Sequence, residues 1–412
     1  MKKTNFITRI LSVLIVSALF FTVSCSTESG DIDDSQAIHE KVTVAKFTST
    51  PIEGQYIVVF NKNYAEKSTT IKDLKYNDKM IMLKSEITKT FAKAEISKEN
   101  IVKTFGYALN GFTANLSEDQ LIELRKDTRI KSIEQDQMIT LAPINIYKGK
   151  PGGGGGGGSD PAQETPWGIT RVGGGSYNGN ATAWIIDSGI DLDHPDLNVD
   201  VTRSRSFLRR GDADDQNGHG THVAGTVAAL DNSIGVVGVA PGATVVAVRV
   251  LDRRGSGSTS GVIAGVDYVA ANGQNGDVAN MSLGGGVSST LDNAVINAAA
   301  SGVKFALAAG NESDDANNHS PARANHANIY TISAMDINDN FASFSNYGNP
   351  PIEFCAPGVS VKSTWKSGGY NTISGTSMAA PHVCGLLLLG NVGSDGTVNG
   401  DPDGNADSIA HN

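Results

Sequence analysis

Cysteine is scarce in this chain, with three in 412 residues, and positive charge is scarce over its larger part. From Ala162 onward 12 Lys and Arg face 24 Asp and Glu, whereas the first 161 residues carry 21 against 19. An acidic stretch of that length argues against nucleic acid as a partner and fits soluble export or cation binding. Long hydrophobic runs are equally rare. The single run, Ile10 to Val23, follows Lys2, Lys3 and Arg9 and ends at Ser24-Cys25. It is too short and wrongly flanked for a membrane span, and residues 1–25 read as a signal peptide. No repeat array is present. What the chain has in plenty is glycine, 47 residues, as expected of a globular protein with many tight turns.

At this length two folded parts plus extensions are expected. Residues 26–50 are polar and acidic, with Asp31, Asp33 and Asp34, and read as a flexible tether. Residues 51–140 form a compact α+β unit. Gln55 to Phe60 is a strand, Lys79 to Ile96 a helix, and Ile101 to Leu116 a hairpin turning at Asn110-Gly111. Glu118 to Lys126 is a helix capped by Ser117, and Ile130 to Glu134 a closing strand. Residues 141–161 contain Pro151 and seven glycines, Gly152 to Gly158, and can hold no core. They form a flexible linker, open to proteolysis.

From residue 162 to 412 strands alternate with helices. Strands are expected at Ala181–Ile186, Thr244–Leu251, Val278–Ser282, Val303–Ala309 and Ile329–Ala334. Helices are expected at His219–Leu230, Gly261–Asn272, Leu291–Ser301 and Ser377–Leu389, with Pro381 accommodated in the first turn of the last. This pattern gives an α/β domain, a doubly wound and mostly parallel sheet with sites at the carboxyl ends of its strands.

Four positions stand at such ends or at helix starts. Asp187 closes a strand, His219 opens a helix in Gly218-His219-Gly220-Thr221-His222, Asn311 follows Ala308-Ala309-Gly310, and Ser377 sits beside the N–H groups of a helix start. Each has an ordinary reading as turn residue, structural histidine or N-cap. Their convergence does not. Ile185-Ile186-Asp187-Ser188-Gly189, Gly218-His219-Gly220-Thr221-His222-Val223-Ala224-Gly225-Thr226 and Gly375-Thr376-Ser377-Met378-Ala379-Ala380-Pro381-His382 resemble the motifs of the subtilisin-like serine proteases, in that family's order of Asp, His and Ser. The resemblance covers Ala162 to Gly390.

That resemblance implies a secreted or surface endopeptidase using an Asp187-His219-Ser377 triad, with the Asn311 amide and the Ser377 N–H as oxyanion hole. It places Gly255-Ser256-Gly257 as an edge strand pairing with extended substrate. Ser282-Leu283-Gly284 and Ala308-Ala309-Gly310 flank the pocket for the residue before the cut, and Glu312 reads either as biasing that pocket toward basic or polar side chains or, more simply, as a solvated side chain beside it. A structural Ca²⁺ would be held by Gln163, Asp196, Asn232 and the carbonyls of Leu230, Ile234 and Val236; Asp401 to Asp407 is a second acidic loop. Residues 51–140 resemble the family's propeptide, a small ferredoxin-like α+β domain acting as intramolecular chaperone and inhibitor, with the processing bond between Gln137 and Pro161. The partners implied are polypeptide substrates and the chain's own propeptide, with no nucleic acid, and the enzyme is expected to be a monomer.

The three cysteines remain open. Cys25 resembles the acylated cysteine of a bacterial lipoprotein, although Thr22 replaces the usual Leu; if lipidated, the anchor lies on the propeptide and self-cleavage releases the protease. Cys355 and Cys384 read either as a disulfide or as two buried thiols. The stretch Arg171 to Ala181 is shorter than in typical members, and after Leu389 too little chain remains for the usual closing helices. An inactive peptide-binding relative is the competing reading; it would lack one of the triad, and none is missing.

Overall fold

The computed structural model describes residues 47–61, 74–141 and 161–412. The signal segment with Cys25, residues 26–46 of the tether and the glycine run 152–158 lie outside the described residues. In the first part the elements follow as β1 (Phe47–Phe60), α1 (Tyr76–Thr90), β2 (Ile101–Phe105), β3 (Gly111–Asn115), α2 (Glu118–Arg125) and β4 (Ile130–Leu141). The strands pair in the order β2-β3-β1-β4, all antiparallel, which is the ferredoxin-like arrangement. Ser117 caps α2 through a reciprocal pair of bonds, Gln120 N to Ser117 Oγ and Ser117 N to Gln120 Oε1. Between sheet and helices Val58, Ile87, Phe91, Phe112, Leu121 and Leu124 are buried, each contributing about 1.5–3 kcal/mol relative to exposure.

Two elements are longer than the sequence pattern implies. Strand β1 takes in Phe47–Thr50, which composition assigned to the tether, and β4 runs to Leu141 instead of ending at Glu134. Each extension is stabilised by the other: Phe47 pairs with Leu141, Thr48 with Thr140, Ser49 with Ile139 and Thr50 with Met138. Tertiary pairing of this kind overrides weak local propensity.

The second part continues with α3 (Trp167–Arg171), β5 (Thr182–Asp187), β6 (Arg205–Ser206), α4 (His219–Ala228), β7 (Thr244–Arg249), β8 (Ser256–Ser258), α5 (Thr259–Asn272), β9 (Val278–Met281), α6 (Ser289–Ala299) and β10 (Lys304–Ala308). It closes with β11 (Ile329–Met335), β12 (Ile352–Pro357), β13 (Val361–Trp365), β14 (Gly369–Ile373), α7 (Thr376–Leu389), β15 (Gly393–Thr397) and β16 (Ser408–His411). Nine strands form one sheet in the order β15-β16-β12-β11-β10-β9-β5-β7-β6, parallel except for the β15–β16 pair. Strand β5 is buried along its whole length, as a strand covered on both faces must be. The chain leaves β5 for β7 on one side and returns to β9 on the other, so the sheet's topological switch lies at the carboxyl end of β5, at Asp187.

Helix α7 starts at Thr376, so Pro381 lies in its interior and not in its first turn. The proline deprives the Ser377 carbonyl of its helical N–H donor. Ser282 Oγ replaces that donor at 2.8 Å, and the helix continues. Beyond Leu389 the remaining residues form the β15–β16 hairpin, which extends the sheet beside β12 in place of closing helices. The second acidic loop, between these strands, serves that join: Asp407 is buried and accepts from Ser333 Oγ and Asn349 Nδ2. Cys355 and Cys384 are both free and buried.

Candidate active site

Asp187 emerges from β5 and is fully buried, with Ser188 N donating to its Oδ1 at 2.6 Å. His219 is the first residue of α4, and its Nδ1 lies 2.9 and 3.0 Å from the two Asp187 oxygens. Two glycines set this geometry. Gly218 N-caps the helix at φ +112°, a conformation open to glycine, and a Cβ there would stand 2.3 Å from Trp365. A Cβ at Gly220 would stand 2.1 Å from Gly189 O, so the helix reaches the strand end only because both residues are bare.

Sequence reasoning missed Asp215. Its Oδ1 accepts from Ser188 Oγ, Asn217 N and Gly218 N, and its Oδ2 from Thr221 N and Thr221 Oγ1. A buried carboxylate thus satisfies donors at the start of α4 and ties them to the residue after Asp187. Burial raises the Asp215 pKa, opposed by these same hydrogen bonds. Arg249, at the end of β7, is itself buried and donates to the carbonyls of Asp212 and Asp214, which holds the loop in shape. An acid three residues before a Gly-His pair is the signal that could have pointed to Asp215; nothing local marks Arg249.

Burial alone would lower the His219 pKa. The Asp187 carboxylate outweighs it through charge and hydrogen bond, with a further contribution from Asp215, so the imidazole is raised above its ordinary 6.5. Ser377 occupies the second residue of α7, and its hydroxyl donates to Ser282 O at 3.0 Å. Among the described residues this bond stands in place of one to His219, as resting sites often show.

Asn311 follows β10. Its Oδ1 accepts from Thr376 N at 2.8 Å and Thr376 Oγ1 at 2.9 Å, which fixes the amide plane and turns Nδ2 away. The point where a Cβ of Gly375 would lie is 3.5 Å from Asn311 Nδ2 and 3.7 Å from Ser377 N. Two N–H donors therefore border one space beside the serine. Such a space can hold an oxygen that gains negative charge.

The chain's own propeptide strands lie against the segments read as cleft walls. Strand β8, with Gly255 before it, pairs antiparallel with β4: Met138 with Ser258, Ile139 with Gly257 and Thr140 with Ser256. Leu141 N donates to Gly255 O at 2.9 Å. Ser282, Leu283, Gly284, Ala308, Ala309 and Gly310 are buried along the opposite side. Glu312 is not solvated. It accepts from Phe47 N, Asn311 N and Asn346 Nδ2, and its side chain keeps 14% of its exposure. Glu134 Oε2 accepts from Thr290 N and Asp136 Oδ1 from Ser260 N, so β4 also caps the starts of α6 and α5.

The six residues read as a calcium site gather around Asp196, which is fully buried. Its oxygens accept from Asn232 Nδ2 at 2.8 Å, Val236 N at 3.1 Å and Tyr370 Oη at 3.3 Å, while Gln163 Oε1 accepts from Asn232 N. Burial pushes the Asp196 pKa up against those bonds. Among the described residues no three His, Cys, Asp or Glu side chains form a metal cluster. One buried carboxylate with two amide oxygens and three backbone carbonyls is a hard-oxygen set, and the chemistry of these donors fits Ca²⁺.

Strand-end acid, helix-start histidine and a serine beside paired N–H donors, on a doubly wound sheet, define a serine hydrolase of the subtilisin type. The chain belongs to the subtilase family: residues 181–390 match that family's model, and residues 55–142 match the peptidase inhibitor I9 model. It is a subtilisin-like serine endopeptidase carrying an inhibitor propeptide. It is 39% identical over 402 residues to alkaline serine exoprotease A of Vibrio alginolyticus, covering 92% of this chain and 70% of that one. It is 38% identical over 354 residues to the extracellular serine proteinase of a Thermus species, covering 82% and 80%. The crystal structure of a cold adapted subtilisin-like serine proteinase superposes with a TM-score of 0.50 at 38% identity, over 60% of this chain and 97% of that chain. Many members of the family bind calcium.

Proposed function

We propose that the chain is exported as a zymogen and hydrolyses peptide bonds through Ser377, His219 and Asp187. The observations that carry this reading are the buried Asp187–His219 pair and a serine bordered by two N–H donors. Ser377 Oγ attacks the scissile carbonyl while His219 Nε2 takes its proton. Asp187 holds the imidazole through Nδ1 and stabilises the imidazolium. The carbonyl oxygen becomes an oxyanion between Asn311 Nδ2 and Ser377 N. Collapse expels the amine, which takes the proton from His219 and leaves an acyl group on Ser377. Water, deprotonated by His219, then releases the acid and restores the hydroxyl.

The same cleft processes its own propeptide. With Leu141 paired to Gly255, the first cut falls beyond Leu141 and before Ala162. Export is supported by the signal-like segment and by relatives whose names describe extracellular proteases. Lipidation at Cys25 would place the anchor on the released propeptide. Ca²⁺ held by Gln163, Asp196, Leu230, Asn232, Ile234 and Val236 would tie the start of the protease domain to the loop after α4. Wild type is expected to degrade casein and Ser377→Ala to be inert. Equal activity in both would overturn the assignment.

A further inference from the structure

The inhibitor domain matches its family model from residue 55, yet β1 begins at Phe47. Its first residues form an arm that enters the cleft. Strand β4 is bounded there by β8 on one edge and by Phe47–Pro51 on the other, so the cleft holds two strands of the propeptide. Three contacts fix the arm against the far wall. Phe47 N donates to Glu312 Oε1 at 2.6 Å. The Phe47 ring lies over Gly284, with its Cδ2 3.0 Å from where a Cβ would stand. Gly286 N donates to Ser49 Oγ at 3.0 Å. Phe47 retains 7% of its exposure, and Glu312, which holds its N–H, also holds the N–H of Asn311.

We propose that Phe47–Thr50 is a second inhibitory segment, distinct from the β4 tail. Phe47 plugs the pocket between Gly284 and Glu312, and the arm occupies the cleft edge that a substrate strand needs opposite β8. The proposal rests on the protease reading above and concerns how that site is regulated. An extended substrate binds by main-chain pairing to both edges of the cleft, with its side chains in pockets. While the arm is seated, the tail is paired on the β8 edge alone, and the first cut waits until the arm withdraws. The seat also fits an aromatic side chain, so peptides with a large apolar residue before the cut compete with Phe47 for it.

A disulfide trap tests the placement on the full chain. A Cβ at Gly286 would stand 4.0 Å from Ser49 Cβ, a separation that a disulfide spans. In a Ser49→Cys, Gly286→Cys, Ser377→Ala chain, oxidised glutathione should link the two thiols, read as a 49–286 cross-linked peptide. Both thiols remaining open to alkylation would overturn the proposal. In the active background the oxidised double variant should remain uncut until dithiothreitol is added; cutting at the same rate in both conditions would contradict it. Phe47→Ala should bring the first cut forward about tenfold, the factor equivalent to about 1.4 kcal/mol. Phe47→Tyr should restore the delay, and the mature protease should be unchanged in both. An unaltered delay in Phe47→Ala would sink the gating role. The cross-link is read without catalysis, so an inactive wild type would refute the protease reading alone. An active chain without the cross-link would refute the arm alone.

Discussion

Ser282 Oγ donates to the carbonyl of Ser377 at 2.8 Å, the carbonyl that Pro381 leaves without a helical partner. In return the Ser377 hydroxyl donates to Ser282 O at 3.0 Å. Ser282 and Ser377 are thus joined twice. Ser282→Ala leaves a buried carbonyl unsatisfied, a cost of about 1–3 kcal/mol. A lowered melting temperature together with reduced kcat is expected; Ser282→Thr, which keeps the hydroxyl, should recover part of both.

Asn311→Ala removes one of the two donors that border the space beside Ser377. In subtilisin, loss of such a donor costs about 10²–10³ in kcat. A loss of that order is expected here with little change in KM. Gly375→Ala should act in the same direction, because its methyl would enter the space 3.5 Å from Asn311 Nδ2.

The pH profile follows from His219. Its pKa is raised above 6.5, and the base must be neutral to accept a proton. The acid limb of kcat/KM should therefore lie above pH 6.5, with activity rising toward alkaline pH. Asp187→Asn removes the main influence that raises the imidazole and leaves burial, which lowers it. The limb should move to lower pH while kcat falls by about 10⁴, as in other triads of this type.

Calcium is expected to stabilise the protease by binding the folded state alone. At a hundredfold excess over its dissociation constant that amounts to about 2.7 kcal/mol. Differential scanning of the mature enzyme in calcium and in EDTA should show a clear gap in melting temperature. Asp196→Ala should close the gap; a gap that persists would place the ion elsewhere.

The candidate site could be read from the sequence because its motifs are local. Asp187 ends a strand, His219 and Ser377 begin helices, and Asn311 follows Gly310, each marked by small neighbours that permit close approach. The capping of α2 by Ser117 was legible for the same reason. Contacts made across the fold were not. Phe47-Thr48-Ser49-Thr50 reads as polar tether, and becomes a strand only beside Met138–Leu141. Gly393–Thr397 is exposed at every residue and carries no apolar period, so only its pairing with β16 reveals it. Glu312 looked solvated because two of its three donors, Phe47 N and Asn346 Nδ2, come from distant segments. Pro381 was assigned to a first turn because the hydroxyl that compensates for it belongs to Ser282.

The most direct test of the account compares the full chain with Ser377→Ala by intact mass and N-terminal sequencing. Wild type should yield a catalytic fragment whose first residue lies within 142–162, and Ser377→Ala should remain uncut. Cleavage at the same bond in both chains would contradict self-processing by Ser377, the claim on which the zymogen reading depends.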